Sequence, residues 1–363
     1  MIKSKQDAVY MARALKLAEK GRYTTDPNPR VGCVLVKDNK VIAEGWHVKA
    51  GLGHAEVNAL SQVDNAKGAT AYVTLEPCSH TGKTGPCCDA LIDAGISRTV
   101  IAMQDPNPLV AGRGIKKMLD TGMSVECGLL KAEAAELNKG FIKRMTTGLP
   151  FVRSKIAMSL DGRTAMASGE SKWITSAESR ADVQRLRAES SAILTGINTV
   201  LADDPSMNVR LEEVVAQPVR VILDTDLNMP VKCKMQGLAG ETWILTCNSD
   251  RQKIDNLEKA GFEVFQLNDN NGRLDLNAVM ALLGQRQINS VLVETGAILN
   301  GALLDANLVD EWVVYMAPCI LGDQGRGLFN LPAMQNMADK IQLNMTAVRQ
   351  VGADLKLTFT VAE

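Results

Sequence analysis

The sequence predicts an α/β protein made of two domains. Its 363 residues exceed one ordinary core of about 150 residues, and helix-like and strand-like segments alternate along the whole chain. Near the middle, TTGLP at 146–150 separates a charged helix pattern from a fresh apolar strand. We therefore expect one domain over residues 1–147 and a second over residues 148–363.

The first domain begins with a helix pattern over residues 6–20, which stops at Gly21. VGCVLV and VIAEGWH then predict the two strands of a hairpin joined by KDNK. The rest predicts, in order, a helix starting near His54, strand TAYVTL, helix CCDALIDAG, strand RTVIAM, helix GIKKMLDTG, strand MSVEC and one charged helix from Lys131 to Arg144. This order indicates a mixed sheet covered by helices.

The second domain continues the alternation. Strands are predicted at FVRSKIAMS, SAILTG, VRVILD, ETWILT and SVLVET, and helices at SAESRADVQRLRAES, NAVMALLG and AILNGALLDAN. This domain is therefore also predicted to be α/β.

Composition excludes several classes of function. Forty basic against forty-one acidic residues, without a basic run, disfavour a nucleic-acid partner. No apolar run is long enough to span a membrane, and the N-terminal pattern lacks the apolar centre of a signal peptide. Eight cysteines are too sparse for a disulfide scaffold, so we expect thiols and a cytoplasmic protein.

One stretch carries the chemistry. The chain has three histidines, yet one of them opens HAE at 54–56, and PCSHTGKTGPC follows at 77–87. A catalytic zinc takes three protein ligands, and His54, Cys78 and Cys87 fit that number. H-x-E followed by P-C-x-x-C is the motif of zinc-dependent nucleobase deaminases, in which the glutamate moves protons. Glu56 is thus the predicted acid/base.

Two details of this motif need comment. The cysteine spacing is longer than C-x-x-C, so His80 and Cys88 are alternatives for the third ligand. Residues two apart in a helix point about 200° apart, so His54 must lie at or before the first turn if it and Glu56 face one metal ion. Cys87 is also expected at a helix start, where the helix dipole favours a thiolate.

Longer motifs resemble a known family. TTDPNPRVGCVLV, HAEVNAL, TLEPCSHTGKTGPCCDALI and MQDPNPLVAGRGI are similar to the deaminase half of the bifunctional riboflavin-biosynthesis deaminase/reductases. SLDGRTAMASGESKWIT, TGINTVLADDP and ETGAILNGALL extend the resemblance into the reductase half. It implies a cytidine-deaminase-like domain followed by a dihydrofolate-reductase-like domain, and it favours Cys87 over His80 and Cys88.

The resemblance also implies the reaction. 2,5-Diamino-6-(5-phosphoribosylamino)pyrimidin-4(3H)-one would lose an amino group as ammonia, and NADPH would then reduce the ribosyl group of 5-amino-6-(5-phosphoribosylamino)uracil to ribityl. Asn28 matches the asparagine that holds the base. The positions implied to contact the reductase substrate are Lys155, Ser171, Arg187, Met207, Arg210 and Glu294. Those implied to contact the cofactor are Ala157, Trp173, Thr199, Asp203, Thr225 and the turn Gly296, Ala297, Ile298, Leu299, Asn300, Gly301, Ala302.

The residues alone support the reductase half less strongly. Arginine suits a substrate phosphate because its guanidinium offers paired donors, yet Arg187 could equally lie on a solvated helix face. Neither GLGHAE nor GRGIKK completes the dinucleotide fingerprint G-x-G-x-x-G. What remains is VLVETGAILNGALL, a strand, a glycine-bearing turn and a helix that could offer N–H groups to a phosphate.

Two other functions compete with this interpretation. One is a deaminase acting on a base within RNA, which the 4% aromatic content and balanced charge disfavour. The other is a zinc-stabilised binding protein with a scaffolding second domain. The expected partners are the small phosphoribosylaminopyrimidine and further copies of the chain in a homo-oligomer.

Overall fold

Two β-sheets carry the fold, one in each part of the chain. The structure is a computed structural model and describes residues 5–79, 85–108, 110–212, 216–270 and 272–362. The chain divides into two units, Met1–Gly148 and Leu149–Glu363, which we call unit 1 and unit 2. No helix in the described ranges is long and apolar enough to cross a membrane.

Unit 1 has a mixed sheet, as predicted. Its elements are α1 (Lys5–Glu19), β1 (Gly32–Lys37), β2 (Lys40–Trp46), α2 (Ala55–Leu60), β3 (Thr70–Val73), α3 (Cys87–Asp93), β4 (Arg98–Ile101), α4 (Arg113–Asp120), β5 (Ser124–Cys127), α5 (Lys131–Leu137) and α6 (Lys139–Thr147). The strand order is β2-β1-β3-β4-β5. β1 is antiparallel to β2 and β3, and β3, β4 and β5 are parallel.

Helices cover both faces of this sheet. Buried residues of α1, α5 and α6 form a core on one face, and those of α2, α3 and α4 form a core on the other. Gly45 allows the second arrangement, since a Cβ there would lie 2.2 Å from the carbonyl oxygen of Ala55. The start of α2, with His54, is therefore seated directly on β2.

The single helix predicted from Lys131 to Arg144 is wrong. The chain forms two helices there, α5 and α6, broken at Asn138, whose φ is −122°. The buried Asn138 side chain accepts a hydrogen bond from the backbone N–H of Arg30 at 2.8 Å. It also donates one to the backbone carbonyl oxygen of Arg30 at 3.0 Å. A tertiary contact across 108 residues of sequence thus overrides local helix propensity.

Unit 2 contains the larger sheet. The strands of unit 2 are β6 (Phe151–Ser159), β7 (Ala192–Gly196), β8 (Val219–Leu223), β9 (Thr242–Thr246), β10 (Glu263–Gln266), β11 (Asp269–Asn270), β12 (Arg273–Leu274), β13 (Ser290–Val293), β14 (Glu311–Ala317), β15 (Leu343–Val351) and β16 (Asp354–Val361). β11 and β12 form a separate two-stranded sheet. The helices of unit 2 are α7 (Ala177–Glu189), α8 (Ile197–Asp203), α9 (Arg251–Lys259), α10 (Leu276–Gln285), α11 (Ala297–Asp305) and a short 3-10 helix, Met337–Asp339.

The strand order of the larger sheet is β10-β9-β8-β7-β13-β6-β14-β16-β15. In this order, each pair of neighbours from β10 through β9, β8, β7, β13 and β6 to β14 is parallel. At the other edge, β16 is antiparallel to β14, and β15 is antiparallel to β16. The strands and helices predicted in this half are present. α8, α9, β10, β14 and the β15–β16 hairpin were not predicted.

Candidate functional site

The three expected metal ligands of unit 1 converge. His54 is the residue before α2, with an extended backbone at φ −74° and ψ 170°, and Cys87 is the first residue of α3. The prediction that both lie at helix starts is confirmed. Cys78 lies in the segment that follows β3, so three separate elements supply the three side chains.

The distances within the group suit a small cation. Nδ1 of His54 lies 3.2 Å from Sγ of Cys87 and 3.6 Å from Sγ of Cys78. All three ligand atoms lie within 4.8 Å of one another. One imidazole and two thiols are the donor set that zinc prefers, so the residues fit this metal. Hydrogen bonds from Cys87 and His54 lower the pKa of the Cys78 thiol below its usual range.

Glu56 lies beside this group without belonging to it. It sits in the first turn of α2, and its side chain is almost completely buried. Because His54 precedes the helix, the two side chains avoid the opposed directions of an ideal helix. Burial raises the pKa of Glu56 to about 7, the range in which a carboxyl group both takes and gives a proton near neutral pH.

The alternative ligands differ in outcome. The Cys88 thiol is oriented toward Oδ1 of Asp89, at 3.6 Å, and Cys88 is not part of the metal-binding group. His80 lies outside the described residues.

A second histidine, which the sequence did not single out, organises the pocket. Nδ1 of the buried His47 donates to the carbonyl oxygen of Gly53 at 3.1 Å, so its Nε2 accepts from Nδ2 of Asn28, also at 3.1 Å. Burial lowers the pKa of His47, which favours the neutral form of the imidazole. Its ring also meets that of His54 edge-on, with centroids 5.2 Å apart. These contacts place Asn28 near the metal group. The signal for His47 that the sequence offered was the small number of histidines in this chain.

In unit 2 many of the predicted residues lie at one edge of the sheet. Parallel neighbours β8, β7, β13 and β6 end at the same edge, where ligands of α/β proteins bind. Thr225 follows β8, and Thr199 and Asp203 belong to α8, which follows β7. Glu294 and Gly296 follow β13, and α11 then carries Ala297, Ile298, Leu299, Asn300, Gly301 and Ala302. Lys155 and Ala157 lie on β6.

The best-defined contact among them is an ion pair. Nε and Nη2 of Arg187 donate to the two carboxylate oxygens of Glu294 at 2.6 and 3.0 Å, and Nη1 donates to the carbonyl oxygen of Asn208 at 3.0 Å. The solvated-face interpretation of Arg187 is wrong, since only 12% of its side chain is exposed. Burial lowers the pKa of Lys155, and the charge of Glu294 opposes this shift. Arg210 is exposed and donates to Oδ1 of Asn208 at 3.0 Å.

Other predicted residues differ in what they can offer a ligand. Trp173 is 71% exposed, and the guanidinium of Arg180 lies 4.6 Å from its ring centre. Ser171 is also exposed, whereas the Met207 side chain is buried. Asn300 is buried as well: its Oδ1 accepts from the Ser154 hydroxyl at 2.8 Å and its backbone N–H donates to the carbonyl oxygen of Gly296 at 3.1 Å, so its contacts are within the protein.

Two further residues of these sets have structural contacts. Asp203 pairs with Nζ of Lys172 at 2.8 Å, which ties α8 to the segment carrying Trp173. A Cβ at Gly301 would lie 2.1 Å from the carbonyl oxygen of Asn330, so close packing of α11 requires this glycine.

Fold and site together define a class: a zinc-dependent deaminase followed by an α/β reductase. The model of the family "Cytidine and deoxycytidylate deaminase zinc-binding region" matches residues 4–103, and that of the family "RibD C-terminal domain" matches residues 150–357. The chain belongs to the RibD family of bifunctional riboflavin-biosynthesis enzymes.

Its relatives match over nearly the full length. The riboflavin biosynthesis protein RibD of Escherichia coli (strain K12) is 50% identical, with 97% of this chain and 98% of that protein covered. RibD of Haemophilus influenzae is 49% identical, with 98% of each covered.

Solved structures agree. Acinetobacter baumannii RibD, form 1, superposes with a TM-score of 0.93 at 45% identity, covering 99% of both chains. The Thermotoga maritima diaminohydroxyphosphoribosylaminopyrimidine deaminase/5-amino-6-(5-phosphoribosylamino)uracil reductase gives a TM-score of 0.88 at 34% identity, covering 98% of this chain and 99% of that one.

These findings confirm the predicted fold class, the two activities and the need for zinc and NADPH. The RNA-acting alternative is not favoured, because the matching relatives are riboflavin-biosynthesis proteins over their whole length.

Proposed function

We propose that unit 1 holds zinc through His54, Cys78 and Cys87 and deaminates the phosphoribosylaminopyrimidine, with Glu56 as the proton carrier. The observation that supports this most directly is the set of three ligand atoms within 4.8 Å of one another. When bound, zinc supplies a Lewis acid that activates water near neutral pH. Glu56 takes the proton released by water and delivers it to the departing amino group.

Substrate orientation is assigned to Asn28. Its amide nitrogen is committed to His47, so its carbonyl oxygen is the group turned to a donor on the pyrimidine. His47 in turn is fixed by Gly53, one residue before the ligand His54. The segment from His47 to His54 thus links the proposed base-binding residue to the proposed metal ligand.

For the reductase, we propose that Lys155, Ser171, Arg187, Met207, Arg210 and Glu294 form the substrate end of the cleft. The cofactor end comprises Ala157, Trp173, Thr199, Asp203, Thr225 and residues 296–302, in part through backbone groups at the start of α11. NADPH supplies the hydride when bound. Arg210 offers an exposed guanidinium to the substrate phosphate, while Arg187 fixes the carboxylate of Glu294.

Replacement of Glu56 tests the deaminase assignment. Glu56→Gln keeps all three ligands, so zinc content should stay at the wild-type level while ammonia release falls by about 10²- to 10⁴-fold. Glu19→Gln, an exposed change on α1, serves as the control and should alter neither quantity. Loss of zinc from Glu56→Gln would make Glu56 a ligand instead.

We also propose a cytoplasmic homo-oligomer. A reducing compartment keeps Cys78 and Cys87 as thiols able to bind metal. β15 is the last strand of its sheet and almost wholly exposed, with Met345 at 60% and Val348 at 54%. An open strand edge that carries exposed apolar side chains such as these favours pairing with another copy. Light scattering should give a multiple of the chain mass that Val348→Glu reduces; a monomeric wild type would contradict the proposal.

A further inference from the structure

A buried carboxylate next to the metal group has no role in the chemistry described so far. Glu76, in TLEPC, is 3% exposed. Its Oε2 accepts from the backbone N–H of Asp105 at 3.2 Å and of Gly112 at 2.9 Å. Its Oε1 accepts from Gly114 at 3.0 Å and from Ile115 at 3.2 Å. Four N–H donors on one side chain compensate the cost of burying it.

These bonds hold the chain that follows β3 against the chain that follows β4. β3 and β4 are parallel neighbours, and beyond their ends the N–H of Glu76 donates to the carbonyl oxygen of Met103 at 3.0 Å. The second stretch comprises residues 105–108 and 110–115, from the motif MQDPNPLVAGRGI. A Cβ at Gly114 would lie 2.2 Å from the carbonyl oxygen of Pro77, so this stretch lies directly against the residue before Cys78.

Cys78 is held from the other side by α3. Its Sγ accepts from the backbone N–H of Cys87 at 3.3 Å, and its carbonyl oxygen accepts from that of Cys88 at 3.2 Å. Glu76 therefore acts on the N-terminal side of Cys78, whereas α3 holds the sulfur and the carbonyl oxygen of Cys78.

We propose that Glu76 is a positioning residue of the deaminase. It clamps residues 105–108 and 110–115 against Pro77, which sets the path of the chain that presents Cys78 to the metal. This inference rests on the proposed ligand role of Cys78. Through Cys78 it links the alignment of the metal to a stretch of chain far away in sequence, and it assigns a function to MQDPNPLVAGRGI.

Glu76→Gln is the direct test. The amide keeps the shape but turns an NH₂ group toward N–H donors, so two of the four bonds lose their acceptor. Well below the unfolding temperature, we expect kcat for ammonia release to fall about 10-fold or more, as small misplacements of reacting groups do. The absorption spectrum of the Co²⁺-loaded variant should change, since it reports the thiolate geometry directly. Reductase activity of the same chain should not change.

The matched control is another buried carboxylate of unit 1. Asp7 accepts from the Tyr72 hydroxyl at 2.6 Å and from Nη1 of Arg98 at 2.9 Å. Arg98 begins β4, so this cluster lies at the sheet end opposite to Glu76. Asp7→Asn should lower thermal stability while leaving kcat and the Co²⁺ spectrum as in the wild type.

The possible results separate cleanly. If Glu76→Gln behaves like Asp7→Asn, less stable but equally fast, Glu76 is only structural and the inference is overturned. Should Glu76→Gln fail to fold, Gly114→Ala is the second variant, because it disturbs the packing of residues 110–115 against Pro77. Gly114→Ala must then show the changes in kcat and in the Co²⁺ spectrum. If neither variant folds, the inference is also overturned. Full zinc binding by Cys78→Ser would instead overturn the proposed ligand set.

Discussion

Replacing Arg187 by lysine tests the substrate end of the reductase cleft. The wild-type guanidinium makes three hydrogen bonds, two to Glu294 and one to the carbonyl oxygen of Asn208. A lysine keeps the charge but cannot hold both carboxylate oxygens in one plane. The variant should therefore lose at least one charge-assisted bond, which contributes about 1.5–3 kcal/mol. This energy fixes the carboxylate of Glu294, so its complete loss from substrate binding sets an upper limit of about 10- to 150-fold on the rise in KM for the deaminated substrate.

NADPH oxidation with the deaminated substrate measures this change. KM for NADPH and ammonia release by unit 1 should both stay at wild-type values. Arg185→Lys is the matched control, because Arg185 lies on the same helix with 65% of its side chain exposed. A rise in KM for NADPH alone would refute the reasoning. The proposed substrate-contacting and cofactor-contacting residues would then have to be exchanged. Unchanged constants would show that the ion pair with Glu294 does not serve the substrate.

Two predictions concern unit 1. Cys87→Ser should weaken zinc binding in a chelator competition, since a hydroxyl is a poor zinc ligand, whereas Cys88→Ser should retain wild-type affinity; the reverse order would mean that Cys88 is the ligand. We also propose residues 1–147 and 148–363 as autonomous domains, because each owns a sheet with its own core. The fragment of residues 1–147 should fold and bind zinc, and an insoluble or metal-free fragment would show that the division is misplaced.

Local patterns predicted that His54, Cys78 and Cys87 would come together, because residue type and helix position identify them. His54 and Cys87 lie at helix starts, as the need to face one ion required. His47 was not predicted, since its role depends on Asn28 and Gly53, which no periodicity connects to it. Spatial neighbours of a motif are set by the fold and leave no spacing signal in the sequence.

The reductase half shows the same division. Its buried parallel strands follow from apolar runs, whereas the β15–β16 hairpin lies at an exposed edge and has no comparable apolar signal. The turn from Gly296 was correctly placed after a strand. Neither the inward orientation of Asn300 nor the bidentate pair of Arg187 with Glu294 could be predicted, since each depends on a contact more than 100 residues away.

The break at Asn138 decides how short a working deaminase can be. The region that matches the zinc-binding family ends at residue 103 and contains every proposed metal ligand together with Glu56. Yet the loop that carries Asn28 is anchored at Arg30 by the side chain of Asn138, which lies well beyond that limit. A protein trimmed to the matching region would retain the proposed metal ligands but lose both residues 110–115, which lie against Pro77, and the Asn138 side chain that anchors Arg30. On the proposed role of Asn28, base binding therefore requires a longer chain than the contacts around Cys78 do.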